Sequence, residues 1–362
     1  SKITALGPKD HNITRNSFDA SDTFAGADGV KQIFMSTWPV KGLYMPDAIA
    51  NYSVNDQTYL VTANEGDARD YGTFAEEIRV GNKAYVLDPV KFPNAAILKK
   101  DNNLGRLQLT KFSGDTDGDG DFDEIHALGA RSFSIWNAAT GQLVFDSGDD
   151  LERVIKESPQ WSSIFNASND GIAIKNRSDN KGPEPEGVTI AQIKGQYYAF
   201  VTLERVGGFV TYNISNPAAA TFVSYQNNRS TTANTGDLGP EGIIYIAPED
   251  SPSGKGLIVV ANEISATISV YEITNDTLGT AEFAKKADKI TVYPNPADDV
   301  ANIALSGNIS VKAFEIYSAA GQKVQSGTLK NPQVNVGPLA KGIYLLKMYT
   351  DQGVFATKFL KK

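Results

Sequence analysis

The sequence predicts an all-β protein in which a β-propeller body is followed by a small immunoglobulin-like β-sandwich. Three segments of the body repeat one template: a proline, an acid, a small residue and an aliphatic residue open a strand, and a later strand ends in glutamate. The last seventy or so residues are short runs of β-branched and aromatic residues separated by Gly, Pro and Asn, the pattern of antiparallel strands. No long helical periodicity appears in these terminal residues.

The repeats begin at Pro46, Pro185 and Pro240, and each leads to a glutamate nineteen, nineteen and twenty-three residues later. The step from Pro185 to Pro240 is 55 residues, about one four-stranded propeller blade plus a loop. A fourth, looser copy at Ala130 to Trp136 is predicted to start another sheet. This spacing predicts that equivalent residues of the repeats lie at equivalent places around an axis.

One helix is predicted after Asp149 and Asp150, because Leu151, Val154 and Ile155 share a face and Ser158-Pro159 ends the pattern. The polar residues 275–289 lack a strand pattern and are predicted to link a body of residues 1–274 to a terminal module of residues 290–362.

Composition restricts the chemistry. The chain has 362 residues, no cysteine and only His11 and His126, which excludes disulfides, cysteine-ligated zinc and a histidine-rich metal site. Residues 290–362 carry eight Lys and four acids, a net charge of +4, so the total of −8 leaves −12 for residues 1–289. An acidic body argues against nucleic acid as a partner. Any metal is expected to be a hard cation on oxygen ligands, Ca²⁺ first.

The acidic loop, residues 115–124, is the sharpest local signal. Its alternating carboxylates converge when Gly120 turns the chain, as in the first positions of an EF-hand loop. His126 stands where that loop has its bidentate glutamate, so Asp123 or Glu124 is expected to substitute. A solvated acidic turn is the alternative. The predicted ligands are Asp115, Asp117, Asp119, Asp121 and Asp123 or Glu124.

The repeated acids form a second candidate site. At equivalent positions of a propeller they would ring the axis, where crowded carboxylates raise their pKa values or capture a cation. The alternative is that each accepts backbone N–H groups. Nearby arginines, Arg69, Arg131 and Arg205, are candidates to neutralise them or to bind an anion such as phosphate. The acids are Asp47, Glu186 and Glu241 at the strand starts, and Glu65, Glu204 and Glu263 at the strand ends.

Weaker signals are Lys9-Asp10-His11, which is either a general base with its neighbours or a polar loop, and Asp276-Thr277-Leu278, which resembles an O-glycosylation acceptor. No nucleophile elbow, P-loop or dinucleotide fingerprint accompanies them. No stretch of eighteen apolar residues occurs. Because the sequence lacks an initiator Met and a signal peptide, we expect a processed or partial chain.

The terminal module resembles the type A C-terminal sorting domain of the type IX secretion system. The resemblance covers its whole length and rests on Tyr293-Pro294-Asn295-Pro296, the Ala320-Gly321 hairpin, the Leu339-x-x-Gly342-x-Tyr344 strand and the lysine-rich end. It implies export through the periplasm and outer membrane of a Gram-negative bacterium to the surface or medium. The implied partner is an outer-membrane shuttle or translocon barrel that recognises residues 290–362.

The body resembles the choice-of-anchor I family of secreted propellers over residues 7 to 275. Members usually carry a further N-terminal stretch of propeller, so the resemblance implies a partial propeller closed by a missing N-terminal part or by a partner chain. The segments that carry it are YLVTANEGDAR from Tyr59, GDTDGDGDFDEIHALGARSFSIW from Gly114, DSGDD from Asp146, KGPEPEGV from Lys181, Leu238 to Ile243 and Val259 to Ile273.

Two functions are compatible with these features. The first is a secreted or surface propeller, stabilised by Ca²⁺, with a binding or structural role. The second is a Ca²⁺-dependent phosphoesterase, since some relatives in the family carry phosphatase or phytase-like labels and a cation beside arginines suits a phosphoryl group. We favour the first because no nucleophile and no paired metal cluster is identified. Whether the chain is an enzyme is left open by the sequence.

Overall fold

The computed structural model describes residues 3–274, 290–305, 310–318, 322–329, 331–350 and 353–362. It is 41% strand and 6% helix, which confirms the all-β class. The chain divides into two compact units, Ser1–Ala281 and Glu282–Lys362. The division falls within the predicted linker 275–289, which lies outside the described residues, as do the O-glycosylation signal at Asp276 and the predicted hairpin at Ala320-Gly321.

Over residues 3–274, the described part of the first unit, the chain forms short strands, two α-helices and three 3-10 helices. The α-helices are α1 (Ala95–Leu98) and α2 (Asp150–Glu157), and the 3-10 helices are Thr14–Asn16, Ser162–Ile164 and Pro248–Asp250. The strands are β1 (Pro8–Asp10), β2 (Phe18–Asp19), β3 (Met35–Ser36), β4 (Val40–Leu43), β5 (Ala48–Val54), β6 (Gln57–Ala63), β7 (Glu77–Arg79), β8 (Gln108–Thr110), β9 (Ile125–Leu128), β10 (Phe133–Asn137), β11 (Leu143–Asp146), β12 (Pro185–Ile193), β13 (Gln196–Leu203), β14 (Phe209–Asn213), β15 (Thr221–Gln226), β16 (Pro240–Ile246), β17 (Leu257–Asn262) and β18 (Thr267–Glu272).

Each copy of the sequence template opens one antiparallel sheet. The first repeat sheet is β5-β6-β10-β11, the second is β12-β13-β14-β15 and the third is β16-β17-β18. Among the described residues no sheet closes on itself. The repeats therefore build separate sheets, and a partial propeller stays a prediction.

The prediction that the looser copy starts another sheet was wrong. Strand β10 pairs with β6, with Phe133 opposite Ala63 and Asn137 opposite Tyr59, so it supplies the third strand of the first repeat sheet. Residues 64–132 are thus an insertion between the second and third strands. Pairing with β10 satisfies the backbone edge that β6 would otherwise expose.

The second repeat sheet is buried on both faces because β13 carries apolar side chains at successive positions. Its Ala199 and Val201 join the core shared with the first repeat sheet, while Tyr198 and Phe200 join the core shared with the third. Helix α2 buries Leu151 and Ile155 in the former core, and its first turn carries Asp150 and Glu152, which suit a helix N-terminus. The helix predicted from the sequence is confirmed.

The insertion shares a second hydrophobic core with Phe18, Ala20, Trp38 and Val40, and this core holds the acidic loop. Strand β9 pairs in parallel with β4, and Ile125 of β9 joins buried Leu104 and Leu107 in this core. The ring of Tyr85 stacks on Phe122 with centroids 4.0 Å apart. Phe122 lies inside the acidic loop, so this stack attaches the loop to the core.

The starts of the second and third repeat sheets approach each other closely at Gly187. A Cβ placed on Gly187 would lie 2.1 Å from the carbonyl oxygen of Glu241, which no side chain can tolerate. A β-bulge follows Pro185 in one sheet and Pro240 in the other, since two residues there face one on the neighbouring strand. The proline-acid-glycine template therefore describes a bulged start packed against its neighbour.

The second unit is a two-sheet β-sandwich. Its sheets are β19-β20-β23 and β22-β21-β24-β25, and buried Ile303, Phe314, Ile316, Leu346 and Met348 form the core. The strands are β19 (Ile290–Tyr293), β20 (Val300–Leu305), β21 (Val311–Ser318), β22 (Lys323–Gly327), β23 (Gln333–Asn335), β24 (Gly342–Thr350) and β25 (Gly353–Lys361).

The opening motif of this unit holds its last strand. The Oδ1 atom of Asn295 accepts a hydrogen bond from the N–H of Leu360 at 2.8 Å. The N–H of Ala297 donates to the carbonyl of Leu360 at 2.7 Å, and the N–H of Lys362 donates to the carbonyl of Ala297 at 2.9 Å. The two ends of the module are therefore joined through the residues that carry the family resemblance.

Candidate functional site

The six repeated acids meet where the repeat sheets begin. The N–H of Asp47 donates to Ala63 at 3.0 Å, that of Glu204 to Glu184 at 2.9 Å, and that of Glu263 to Gly239 at 2.7 Å. Each bond holds the start of the first strand beside the end of the second, with the N–H at the start in the first repeat sheet and at the end in the other two. Each sheet thus delivers a pair of acids to the same end.

We name Asp47, Glu65, Glu186, Glu204, Glu241 and Glu263 the carboxylate cluster. Oxygens of Glu65, Glu186 and Glu204 lie within 4.8 Å of one another. Asp47 lies beside Glu186 and Glu241 beside Glu263, close enough for each pair to form a hydrogen bond when one carboxyl is protonated. Carboxyls at such distances share a proton or a cation, because like charges this close strongly disfavour full ionisation.

Burial and mutual repulsion raise the pKa values of four members of the cluster, Glu65, Glu186, Glu204 and Glu241. Burial and the charges of Glu65, Asp47 and Glu204 raise the pKa of Glu186 to about 9. Burial and Glu184 raise the pKa of Glu204 to about 7 against the opposing effect of Arg205. Burial raises the pKa of Glu65 despite its ion pair with Lys181. At neutral pH the cluster therefore retains a proton unless a cation replaces it.

Three cations beside the cluster surround buried Glu184, which the sequence reading did not single out. Its carboxylate contacts Arg177 at 2.9 Å, Lys181 at 3.2 Å and Arg205 at 3.0 Å. Burial raises the pKa of Glu184, but the attraction of these three cations outweighs it and the net direction is downward. Lys181 also contacts Glu65 at 2.8 Å. The sequence segment KGPEPEGV could have indicated this group, since it contains Lys181, Glu184 and Glu186.

Of the three predicted arginines, Arg205 lies at the cluster, where its Nε is 3.2 Å from Glu204. Arg69 instead binds Glu76 in a bidentate pair at 2.9 and 3.1 Å. Arg131 is buried and donates to Glu152 at 2.6 Å. Arg69 and Arg131 therefore neutralise acids outside the carboxylate cluster.

The acidic loop presents two groups of converging carboxylates. Asp115, Asp117 and Asp123 have oxygens within 4.8 Å of one another, and so do Asp88, Asp121 and Asp123. Asp123 is common to both groups. Asp88, 27 residues before Asp115, is a member that the sequence reading missed, because nothing local connects it to the loop.

Hydrogen bonds from backbone N–H groups of the loop fix the orientation of these carboxylates. Asp115 accepts the N–H groups of Gly118 at 2.7 Å and Gly120 at 3.1 Å, and Asp123 accepts Thr116 at 2.8 Å. Asp119 accepts the N–H of Asp121 at 3.1 Å. The Oδ1 atom of Asp121 is buried and has no hydrogen-bond partner among the described residues.

Glu124 points away from these groups. Its carboxylate pairs with Lys41, and its other oxygen lies 2.8 Å from Nε2 of His126. Hydrogen bonds from Lys41 and His126 lower the pKa of Glu124. Of the two substitutes considered for the missing glutamate, Asp123 faces the other loop acids and Glu124 does not.

In the Lys9-Asp10-His11 segment, the side chains of Lys9 and His11 are buried and bonded to neighbouring groups. Lys9 is buried and its Nζ lies 2.9 Å from Asp146. His11 packs edge-on against Phe18 at 4.7 Å, and its Nδ1 lies 2.7 Å from the carbonyl of Asn16. Burial and the charge of Lys9 lower the pKa of His11 well below its usual value. The polar-loop interpretation fits this environment better than that of a general base.

Comparison with known proteins indicates an exported β-protein with a C-terminal sorting module. Residues 291–362 match the secretion system C-terminal sorting domain. Residues 1–217, more than half of the chain, match the choice-of-anchor I domain, and the chain belongs to that family. The sorting domain indicates export through the outer membrane to the cell surface or extracellular space. Among the described residues, helices are too short or too polar to cross a membrane.

Curated relatives are animal proteins. Gigasin-3a of Magallana gigas is 28% identical over 192 residues, covering 49% of this chain and 66% of its own length. The mesenchyme-specific cell surface glycoprotein of Strongylocentrotus purpuratus is 25% identical over 203 residues, covering 47% of this chain and 26% of its own. The chain thus spans less than two thirds of the length of either relative.

Among solved structures, PorZ of Porphyromonas gingivalis, described as an essential surface component of the type IX secretion system, is 10% identical. The alignment covers 95% of this chain and 53% of PorZ with a TM-score of 0.18. So low a score supports no argument about the fold.

Proposed function

We propose that the body of this exported protein is a Ca²⁺-stabilised binding module arranged as part of a β-propeller. The observation that carries the proposal is the convergence of acidic side chains in the acidic loop. Asp115, Asp117 and Asp123 offer oxygen ligands from a loop already turned by hydrogen bonds to their own backbone. Oxygen-only donors favour Ca²⁺ over softer metals.

A stabilising role suits this ion better than a catalytic one. The loop is attached to the core of the insertion through the Phe122 and Tyr85 stack, so a cation that neutralises the loop would secure the insertion as a whole. Ligand binding to the native state alone stabilises it by mass action.

Melting with and without Ca²⁺ tests this proposal. We expect wild-type protein to melt several degrees higher in millimolar Ca²⁺ than in chelator, since about 2.7 kcal/mol is gained at a hundredfold excess over Kd. Asp117→Ala with Asp119→Ala should abolish the difference. Asp56→Asn, in the exposed β5-β6 turn, serves as control and should keep it. Equal melting temperatures for the wild type in both buffers would refute Ca²⁺ stabilisation.

The propeller arrangement is supported by the repeat sheets. Strands β12 and β16 begin with equivalent bulges, whereas β5 pairs without one, and the backbones of β12 and β16 meet at Gly187. Close approach of successive inner strands is what a propeller axis requires. An experimental structure of the complete protein tests this: sheets that do not radiate from the carboxylate cluster would exclude a propeller.

We propose that the carboxylate cluster is a second cation site and that its carboxyls share a proton when no cation is bound. Phosphoester hydrolysis is the weaker alternative, because Arg177, Lys181 and Arg205 already have carboxylate partners. Assaying p-nitrophenyl phosphate with Ca²⁺ discriminates the two. Turnover by the wild type that is lost in Glu186→Gln would favour the hydrolase.

A further inference from the structure

Strand β24 of the second unit carries apolar side chains on both of its faces. Ile343, Tyr344, Leu345 and Leu346 follow one another without a charged residue between them. Such an uninterrupted run is typical of a strand that is covered on both sides, whereas a strand with one face in water alternates apolar and polar side chains. Tyr344 and Leu346 are buried in the core of the sandwich, so Ile343 and Leu345 lie on the outer face of the sheet.

These outer side chains join a third to form an exposed apolar patch. Leu360 of β25 is directly opposite Ile343, so the two side chains share the outer face. Ile343 is 59% exposed, Leu360 41% and Leu345 38%. Isolated apolar side chains are ordinary on a protein surface, but adjacent ones mark sites of interaction. We name Ile343, Leu345 and Leu360 the outer apolar patch.

The polar part of the same face makes its contacts within the module. Glu315 accepts hydrogen bonds from the hydroxyls of Tyr317 and Tyr349, each at 2.7 Å. Lys323 donates to the other oxygen of this carboxylate at 3.1 Å. Tyr317 is directly opposite Leu345, so this network borders the outer apolar patch. The patch is therefore the part of the face that is left for a partner.

Two lysines flank the outer apolar patch along the chain. Lys341 is exposed and comes two residues before Ile343. Lys347 comes two residues after Leu345 on the same face, with its Nζ 5.2 Å from the centre of the Tyr349 ring. Among the described side chains of this unit, neither lysine forms an ion pair with a carboxylate. Residues 290–362 carry a net charge of +4, so charge complementarity favours a partner with carboxylates around its contact surface.

We propose that the outer apolar patch is the surface by which the outer-membrane export machinery holds this module, and that the machinery presents an apolar surface bordered by carboxylates. The proposal rests on the export role of residues 291–362. Recognition of a folded cargo needs a surface that the fold itself does not use, and the patch is such a surface. Burial of its side chains would supply affinity, and the lysines would supply orientation.

Replacing the patch by polar side chains tests the proposal in the full chain. Ile343→Thr with Leu345→Thr keeps residues that suit a solvent-facing strand, so the sheet should still form. We expect export to the surface or medium to fall at least about tenfold, because two apolar contacts with the machinery are lost. The variant should accumulate in the periplasm, as measured by fractionation and immunoblotting.

Val300→Thr is the matched control, since Val300 is 41% exposed on β20 in the other sheet. It should be exported like the wild type. Slow amide hydrogen exchange at Leu346 and Met348 should show that β24 stays paired in the double variant. Export of the double variant at the wild-type level, or an equal loss in Val300→Thr, overturns the proposal.

Crosslinking identifies the occupant without removing the patch's neighbours. A photoreactive benzophenone side chain at position 343 should crosslink the full chain to an outer-membrane protein during export, and one at position 300 should not. A crosslink from position 343 to the body of the same chain or to a second copy overturns the proposal, and so does the absence of any crosslink.

The charge of the partner is tested separately. Lys347→Glu should lower export by about threefold or more, whereas Lys347→Arg should stay within about twofold of the wild type. Equal export of the two would overturn the carboxylate-bordered partner. Deleting residues 282–362 distinguishes a wrong face from a wrong export role. Retention of the truncated chain in the periplasm while the double variant is exported would mean that the face is wrong, and export of the truncated chain would mean that the module is not the sorting signal.

Discussion

The position of Glu186 could be predicted from the sequence, but some of its neighbours could not. Its place beside Glu65 and Glu204 follows from the repeats, because the same residue type at the same point of a repeated unit falls in a similar place. Its neighbours Lys181 and Glu184 did not follow, since they belong to an irregular segment in which Glu184 has a φ of 52° and is wholly buried. Side chains held by such backbone geometry show no periodicity in the sequence.

Glu186 also gives a prediction about pH. Its pKa is raised from 4.5 to about 9, so the folded state binds the proton more tightly than the unfolded state. Stability should therefore be fully present below pH 4.5 and fall as pH rises toward 9, by up to about 1.4 kcal/mol per unit. In chelator, Glu186→Gln should flatten the decline and melt above the wild type at pH 9.

Thermal melts from pH 5 to pH 9 measure this effect. Glu249→Gln, on an exposed 3-10 helix, is the matched control and should follow the wild type. Parallel pH profiles for the wild type and Glu186→Gln would show that Glu186 ionises freely in the folded protein.

At the scale of elements, the sequence predicted the starts and ends of repeated strands but not the order of strands in a sheet. The pairing of β6 with β10 spans the whole insertion, residues 64–132, and local patterning does not report such distant partners. For the same reason Asp88 was missed beside the acidic loop. Helix α2 was predictable because its periodicity and its ending lie within one short stretch.

The bulged strand starts give a prediction for Gly187. A methyl group there would meet the carbonyl of Glu241, and the side chains of Ile243 and Thr202, each 3.1 Å from the added Cβ, leave little room to relax. Gly187→Ala should cost about 1–3 kcal/mol of unfolding free energy. Gly171→Ala is a matched control, since no atom lies within 4 Å of its added Cβ. Urea titrations compare the two, and equal midpoints would contradict the close approach.

At the scale of the whole molecule, the chain joins two units of opposite charge, −12 for residues 1–289 and +4 for residues 290–362. Each has its own hydrophobic core, with Val201 and Leu203 among the buried residues of the first and Ile316 and Leu346 among those of the second. Separate cores allow separate folding, because neither unit needs the other to bury its apolar side chains.

Deleting residues 282–362 should therefore leave the body folded, with its melting temperature within a few degrees of the full chain, while export to the surface or medium is lost. Cell fractionation followed by immunoblotting measures the loss of export.

In the reciprocal experiment, fusing residues 282–362 to an unrelated periplasmic protein should carry that protein across the outer membrane. Within the module, Asn295→Ala removes the bond to Leu360 that holds the last strand and should reduce export of the fusion, whereas Asn331→Ala, at an exposed position before β23, should not. Wild-type export of the truncated chain would mean that the sorting information lies in the body.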